Sequence, residues 1–385
     1  MKRLIGLCAV ATALTAAAAE IRDFPVSGKD GAAIQASIDA AAAAGGGRVV
    51  VPPGVYPSGS IRLRSKVELH LAKGAVVRGA DAPEGYDDVD DPRIGCAPEG
   101  SKKVFLWCFD GEDVAITGEG VFDGQGPAFY NTDVPAGQFF RKPPHPRPRM
   151  VELFNCRNVR LEGNLYKDSP GWTMWIRKCE NVSVTGIAIE GCQQMINNDG
   201  IDFDSCRHVR VTKSRFKTGD DCLAIRAIIG PDGAPSVCED VVVSDCSLDS
   251  WCSGVRIGCP SDDTIRDVTM SNVTCKATYG ILSFHPYHYL RKDSKANIRT
   301  DRLLFENWTI DAKWAPIQLK VQPGIRVRRL GGFTFRNLRI KKGNPELEGT
   351  PESPLEDIVF DNVAVGEETP FNRPEKAWGS WETQF

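Results

Sequence analysis

The chain has 385 residues, and its 47 basic and 50 acidic residues give a formal net charge of −3. No basic block or stripe occurs, which argues against a protein that binds nucleic acid through its phosphates. Beyond the N-terminal residues, no segment is apolar enough to cross a membrane, so a membrane span is also excluded.

The N-terminus, residues 1–19, has the pattern of a secretory signal peptide. Lys2 and Arg3 form a basic start, residues 4–14 are apolar, and a run of small residues provides a cleavage region. We therefore predict a secreted or periplasmic protein whose remaining residues, 20–385, form one catalytic domain.

An alanine-rich stretch at 30–46, DGAAIQASIDAAAAAGG, predicts a helix. Asp30 is placed to act as its N-cap and Gly45 as its stop. Strand-forming sequence begins immediately after it. We expect this helix to cover the open end of the strands that follow, because uncovered strand edges recruit other chains.

The middle of the chain repeats one pattern: a cysteine, a variable residue, a turn-forming Asn, His or Asp, a valine, and then alternating apolar residues. The cysteines of the four copies are Cys156, Cys179, Cys206 and Cys238, separated by 23, 27 and 32 residues. Later segments beginning FENW, FRNL and FDNV continue the pattern. Such periods in short β-segments predict a solenoid, because a propeller blade needs about 40 residues or more.

These repeats predict an all-β fold, a single parallel β-helix in which equivalent residues of successive coils stack about 4.8 Å apart. The four cysteines would then form a column inside the solenoid, either as small hydrophobic residues or bridged in disulfides. The C-terminal tail, 366–385, is expected to pack back on the outside.

Acidic residues cluster in two neighbouring copies. NNDGIDFDSC spans 197–206 and TGDDCLAIR spans 218–226, and the 22 residues from Asp199 to Asp221 make one coil. Asp199 should therefore lie beside Asp221, with Asp220 adjacent. Crowded carboxylates raise at least one pKa, which suits an acid–base catalyst, although such segments also occur in ordinary turns.

Several segments, in this order, resemble those of glycoside hydrolase family 28, the polygalacturonase-like enzymes. They are GGGRVVVPPGVY (45–56), ITGEGVFDGQG (116–126), SPGWTMW (169–175), NNDGIDFDSCRHV (197–209) and TGDDCLAIR (218–226). The resemblance implies a right-handed parallel β-helix and hydrolysis with inversion. It also implies that Asp220 is the general acid, that Asp199 and Asp221 hold and activate water, and that Asn197 matches the family's asparagine.

Two motifs depart from the family pattern. Ser253 stands where the family's Gly-His-Gly has its histidine, and Leu282 and Phe284 stand where an Arg-Ile-Lys motif would bind a uronate carboxylate. Arg226 and Arg256 are candidate replacement cations near the acidic cluster. Plain homogalacturonan is therefore uncertain as the substrate.

The segment FHPYHYLRK (284–292) contributes His285 and His288 as candidate sugar-binding residues, since imidazole and aromatic groups beside a carboxylate cleft suit carbohydrate. The predicted substrate-binding residues are Asn197, Arg226, Ser253, Arg256, His285 and His288. We predict no cofactor and no metal, and a polysaccharide or oligosaccharide partner.

Two other functions remain open. A polysaccharide lyase on the same solenoid would use the aspartates to bind Ca²⁺ and an arginine, Arg226 or Arg256, as its base. A non-catalytic glycan-binding solenoid would explain the missing histidine and cations. The sequence leaves the oligomeric state and the choice between endo and exo action open.

Overall fold

The computed structural model describes residues 21–94, 100–142, 145–258, 260–286, 297–366, 369–370 and 379–384. The predicted signal peptide and His288 lie outside the described residues. No helix within these ranges combines the length and the apolar character that a membrane crossing requires.

Short strands stack in parallel into three rows that run the length of a β-helix. The first row comprises β1 (Asp23–Pro25), β2 (Gly47–Val51), β5 (Val67–Leu71), β8 (Glu112–Gly118), β11 (Arg157–Glu162), β14 (Glu180–Thr185), β17 (Arg207–Thr212), β20 (Val237–Ser250), β22 (Thr264–His285), β23 (Arg299–Val321), β24 (Leu330–Ile340), β26 (Leu355–Val365) and β28 (Gly379–Gln384). The second row comprises β3 (Gly54–Ser58), β6 (Ala75–Gly79), β9 (Val121–Asp123), β12 (Leu165–Lys167), β15 (Ala188–Glu190), β18 (Arg215–Thr218) and the second half of β20.

The third row, called the site row below, carries the acidic cluster. It comprises β4 (Ile61–Arg62), β7 (Val104–Phe109), β10 (Arg149–Phe154), β13 (Met174–Arg177), β16 (Ile201–Asp204), β19 (Leu223–Arg226), β21 (Ser253–Ile257), the ends of β22 and β23, and β25 (Glu346–Glu348). A short antiparallel strand, β27 (Thr369–Pro370), pairs with β26, and 3-10 helices occupy Pro83–Gly85 and Gly126–Phe129.

The register of the site row follows the coil lengths read from the sequence. Val151 pairs with Met174, Met174 with Ile201, Ile201 with Leu223, and Leu223 with Val255. The step from Leu223 to Val255 contains ten extra residues, 228–237, which the 22-residue step before it lacks. The predicted all-β fold, a single right-handed parallel β-helix, is confirmed.

The cysteine column lies inside the solenoid, as predicted. Cys156, Cys179, Cys206 and Cys238 are all buried, and the Cys156 amide donates to the Cys179 Sγ at 3.3 Å. Every cysteine that the structure describes is a free thiol. The column therefore fills the core as small apolar side chains, and the disulfide alternative does not hold for these residues.

The turn-forming residue of each repeat has a left-handed backbone. Asn158, Asn181, His208 and Asp240 have φ values of 55°, 57°, 55° and 51°. Asn and Asp tolerate this conformation better than other non-glycine residues, which explains why the repeat keeps a polar residue here. The amide of Asn181 also donates to the Asn158 side-chain oxygen at 3.1 Å, so one turn stacks on the next.

The predicted N-terminal helix is present as α1 (Gly31–Ala43). The Asp30 carboxylate accepts a hydrogen bond from the Ala33 amide at 2.9 Å, and Gly45, with a φ of 92°, follows the last turn. Ile34 and Ile38 are fully buried against the core. The role of this helix as a cover for the open end remains a prediction.

The C-terminal tail differs from its prediction. Strand β28 pairs in parallel with β26, where Leu355 is in register with Gly379 and Phe360 with Thr383. The tail therefore continues the first row in this part and does not lie on the outside. The last coil has unpaired backbone groups along its edge, and one more strand satisfies them.

Candidate active site

The acidic cluster lies where successive coils enter the site row. Asp199 precedes β16 and Asp221 precedes β19, and the Gly200 amide donates to the Asp221 carbonyl at 2.8 Å. This contact places Asp199 and Asp221 in adjacent coils, which confirms the register predicted for them. Gly219, two residues before Asp221, packs closely against Met195, since a Cβ at Gly219 would lie 2.0 Å from the Met195 carbonyl oxygen.

Asp220 is the member of the cluster that faces the open cleft. It is half-buried, and its carboxylate accepts from the Asn197 amide at 3.2 Å and the Asp221 amide at 3.0 Å. Burial and the charge of Asp221 raise the pKa of Asp220, against the opposing effect of Arg256. Asp220 can therefore carry a proton under conditions in which an ordinary aspartate has lost it.

Asp221 lies behind Asp220 in a different environment. Its carboxylate accepts hydrogen bonds from the Ser253 hydroxyl and from the Arg256 guanidinium. Burial alone would raise the pKa of Asp221, but the charge and hydrogen bonds of Arg256 outweigh it and hold the pKa below its usual range. The site therefore contains a carboxyl group of lowered pKa directly beside one of raised pKa.

A second arginine, Arg226, contacts a second pair of buried acids, Asp202 and Asp199. An Arg226 nitrogen lies 2.9 Å from an Asp202 oxygen and 3.9 Å from an Asp199 oxygen, and its guanidinium stacks 4.6 Å from the centre of the Trp172 ring. Burial raises the pKa of Asp202 to about 7 despite Arg226. Burial, followed by the charge of Asp220, raises the pKa of Asp199 well above its usual value.

Asn197 is held in place by a buried arginine that the sequence did not single out. Arg147 donates to the Asn197 side-chain oxygen at 3.2 Å and to the Ile196 carbonyl at 2.7 Å. Asn197 has a φ of 56°, and its amide reaches Asp220. Since 50 residues separate Arg147 from Asn197, only the folded coils reveal this contact.

Three predicted substrate-binding residues have other partners. Ser253 is fully buried and donates to Asp221, so its hydroxyl supports a carboxylate instead of contacting sugar. Arg226 and Arg256 form ion pairs with Asp202 and Asp221. Both guanidinium groups are therefore engaged by carboxylates of the site, and substrate binding by these arginines stays a prediction.

The structure contradicts the prediction that His285 binds substrate. Side chains alternate along β22, and His285 falls on the inner face, in register with Val321. It is 3% exposed and its ring lies 3.1 Å from the Ser283 hydroxyl oxygen. Burial and the nearby Arg256 lower the pKa of His285 to about 4, so the ring is neutral in the core.

A cleft of about 580 Å³ opens from Asp220 toward the C-terminal coils. Aromatic side chains and lysines border this cleft, and no motif of the sequence groups them. They are Phe139, Trp251, Tyr279, Trp314, Lys276 and Lys313. Phe139 belongs to the Pro- and Arg-rich segment before β10, whereas Lys313 and Trp314 interrupt the apolar alternation of β23, which is the one signal that could have revealed them.

Asp220, Asp221 and Cys252 are the described residues whose ligand atoms lie close enough to share a metal ion, within 4.8 Å of one another. Both Asp221 oxygens already accept from Ser253 or Arg256. A cation there would also meet the positive charge of Arg256. This arrangement suits proton transfer better than metal binding.

Comparisons with known proteins agree with this geometry. The model of the family described as Glycosyl hydrolases family 28 matches residues 99–230. A polygalacturonase of Medicago sativa is 25% identical over 302 residues, which cover 70% of this chain and 68% of the relative.

Two solved structures share the fold. An exopolygalacturonase from Thermotoga maritima has a TM-score of 0.75 and 22% identity, covering 94% of this chain and 90% of that one. A polygalacturonase from Erwinia carotovora has a TM-score of 0.67 and 16% identity, covering 96% and 99%.

A parallel β-helix with an aspartate of raised pKa beside one of lowered pKa at the edge of a cleft has the pair of carboxyl groups that hydrolysis of a glycosidic bond requires. The family match includes Asp199, Asp220 and Asp221. Over residues 99–230 the chain is similar to the polygalacturonase-like enzymes of glycosyl hydrolase family 28.

Proposed function

We propose that this enzyme is exported and hydrolyses glycosidic bonds of an acidic, pectin-like polysaccharide by direct displacement with inversion. The observation that carries the mechanism is the contrast between Asp220, whose pKa is raised, and Asp221, whose pKa is lowered, side by side at the cleft. Hydrolysis needs one carboxylic acid to protonate the leaving oxygen and one carboxylate to activate water.

In the proposed step, Asp220 donates its proton to the glycosidic oxygen as the bond from that oxygen to the anomeric carbon breaks. Water forms the new bond to the anomeric carbon from the opposite face, and its proton moves toward the ionised Asp221. An oxygen of the buried Asp199 that has no hydrogen-bond partner among the described residues is available to orient this water. Arg256 and Ser253 keep Asp221 charged during the reaction.

The acidic substrate is supported by the names of the relatives, which are polygalacturonases from a plant and from bacteria. The pattern of a signal peptide at 1–19 supports export to where such polymers occur. Leu282 and Phe284 replace the family's uronate-binding cations, so carboxylate recognition has to come from other residues.

The ion pairs of the two arginines argue against the lyase alternative, in which Arg226 or Arg256 would act as the base. Burial lowers the pKa of Arg226, but the charges of Asp202 and Asp199 outweigh it and raise the pKa overall. Arg256 donates to a buried carboxylate. Neither guanidinium is placed to lose a proton and accept one from a sugar.

Incubation with a panel of pectic and neutral oligosaccharides, followed by product analysis, tests the proposal. We expect saturated products from uronate-containing substrates, and proton NMR should show the inverted anomer first. Products that absorb in the ultraviolet and vanish with a chelator would support a lyase and contradict the proposal. Retention at the anomeric carbon would contradict the direct displacement alone.

A further inference from the structure

Two of the largest exposed hydrophobic side chains border the cleft. Trp314 is 60% exposed and Phe139 is 43% exposed, and Val55 and Ile21 are the other large hydrophobic residues so exposed within the described ranges. Exposed aromatic rings beside a catalytic acid give flat apolar surfaces on which a sugar ring can stack.

The rings are arranged as two pairs. Trp314 packs edge-on against Tyr279, with centroids 5.6 Å apart, and Phe139 packs edge-on against Trp251, with centroids 5.5 Å apart. Edge-on contacts of this kind hold each ring in a defined orientation while leaving a face open. Aromatic surface is therefore available beyond the sugar that Asp220 protonates.

Lys276 and Lys313 are the cations among the described residues that line this cleft. Both are exposed, and neither forms an ion pair with any residue that the structure describes. Asp249 and Asp311, the register neighbours of Lys276, have other partners: Asp249 accepts from Gln193 at 3.0 Å and Asp311 pairs with Lys341 at 3.2 Å.

The charge balance of the cleft favours an anion. Among the described residues that line the cleft there are two lysines and two acids, Asp220 and Asp249, and the raised pKa of Asp220 leaves positive charge in excess when Asp220 is protonated. The Lys313 ammonium lies 5.9 Å from the centre of the Trp314 ring, so one sugar unit can contact the ring with its face and the ammonium with a substituent.

We propose that this part of the cleft is a uronate subsite, in which Trp314 stacks against a sugar unit and Lys276 and Lys313 bind its carboxylate. The subsite adjoins the reacting sugar and substitutes for the cations absent at Leu282 and Phe284. The inference rests on the proposed function for its substrate, and on the contacts of Lys276, Lys313 and Trp314 for its location.

Binding measured by titration calorimetry tests the subsite apart from catalysis. An Asp220→Asn protein serves as the background, so that no probe is consumed. The probes are trigalacturonate and the same trimer with its carboxylates reduced to alcohols. Three variants are compared in this background: Lys276→Met with Lys313→Met, Trp314→Ala alone, and Lys213→Met as a control at an exposed lysine that does not line the cleft.

We expect the double lysine variant to weaken trigalacturonate binding about tenfold or more, as loss of hydrogen bonds to a charged group requires, and to leave the reduced trimer unchanged. Trp314→Ala should weaken both probes to a similar degree, because stacking does not depend on the carboxylate. Lys213→Met should change neither.

The subsite would be overturned if the double lysine variant bound trigalacturonate as tightly as its parent, or if it lost the same affinity for both probes. It would also be overturned if the parent bound neither probe. Absence of glycan cleavage by the wild-type enzyme, with the charge-specific binding loss still present, would instead overturn the proposed hydrolytic function and leave the subsite standing.

Discussion

The two faces of the site row differ in how far they repeat. The inner face carries an apolar residue in every coil, such as Ile176, Phe203 and Ile225 in three successive strands. The outer face carries Glu152, Trp175, Asp202, Ala224 and Arg256 in successive register positions, with no repetition. The inner face repeats because every coil has to fill the same interior. The outer face is free to vary, and the charged residues of the candidate active site lie on this side.

The largest effect is expected for Asp220→Asn, a change at the outer end of this row. The variant should lose about 10²- to 10⁴-fold in kcat on a polysaccharide, because the leaving oxygen no longer receives a proton. A nitrophenyl glycoside, whose leaving group needs no proton, should be cleaved with a much smaller loss. The melting temperature should change little, with Asp245→Asn as a control in a turn, and equal losses on both substrates would show that Asp220 is not the acid.

Arg256→Met should cost about 3–5 kcal/mol in the free energy of unfolding, because it leaves the buried Asp221 without its charged partner. Chemical denaturation measures this loss. The remaining folded enzyme should also be less active at low pH, since the pKa of Asp221 rises. Arg256→Lys should recover part of both properties, and a variant as stable as the wild type would contradict the ion pair described for Asp221.

Ile176→Ala tests the inner face of the same row. The side chain is fully buried, and its loss should lower the free energy of unfolding by about 2–5 kcal/mol. Activity per folded molecule should stay within about threefold of the wild type, because the inner face contacts no substrate. A large loss of kcat without a loss of stability would show that the two faces are not separable in this way.

Much of the fold and part of the site followed from local sequence. The spacing of the cysteines predicts the coil lengths, and the spacing of Asp199 and Asp221 predicts their contact. The inner position of His285 also follows from strand alternation, once Leu282 and Phe284 are placed on the outer face. The aromatic and basic residues of FHPYHYLRK favour a loop over 284–292, which masks the end of β22 at His285.

Other features could not be predicted because they depend on contacts between distant segments. Arg147 reaches Asn197 across 50 residues of sequence, and no local pattern relates them. The assignment of Arg226 and Arg256 to individual carboxylates depends on side-chain geometry between coils. The pairing of β28 with β26 is likewise a tertiary choice that a polar tail does not indicate.

His285 gives the expected effect with the most specific pH range. Its pKa falls from about 6.5 in the unfolded chain to about 4 in the core, so the unfolded state binds the proton first as the pH is lowered. The free energy of unfolding should therefore fall by about 3 kcal/mol as the pH is lowered from about 6.5 to about 4. His285→Gln should remove this pH-dependent loss in denaturation experiments, whereas the half-buried His70→Gln should not, and parallel curves for His285→Gln and the wild type would contradict the assignment.

The pH dependence of kcat/KM on polygalacturonate tests the central claim most directly, that Asp220 reacts in its protonated form beside the ionised Asp221. We predict that the rate falls as the pH rises through the raised pKa of Asp220, because the acid is then lost, and that Asp220→Asn lacks this falling limb. A rate that keeps rising at alkaline pH in the wild type would mean that Asp220 acts as an ionised base, and would contradict the account.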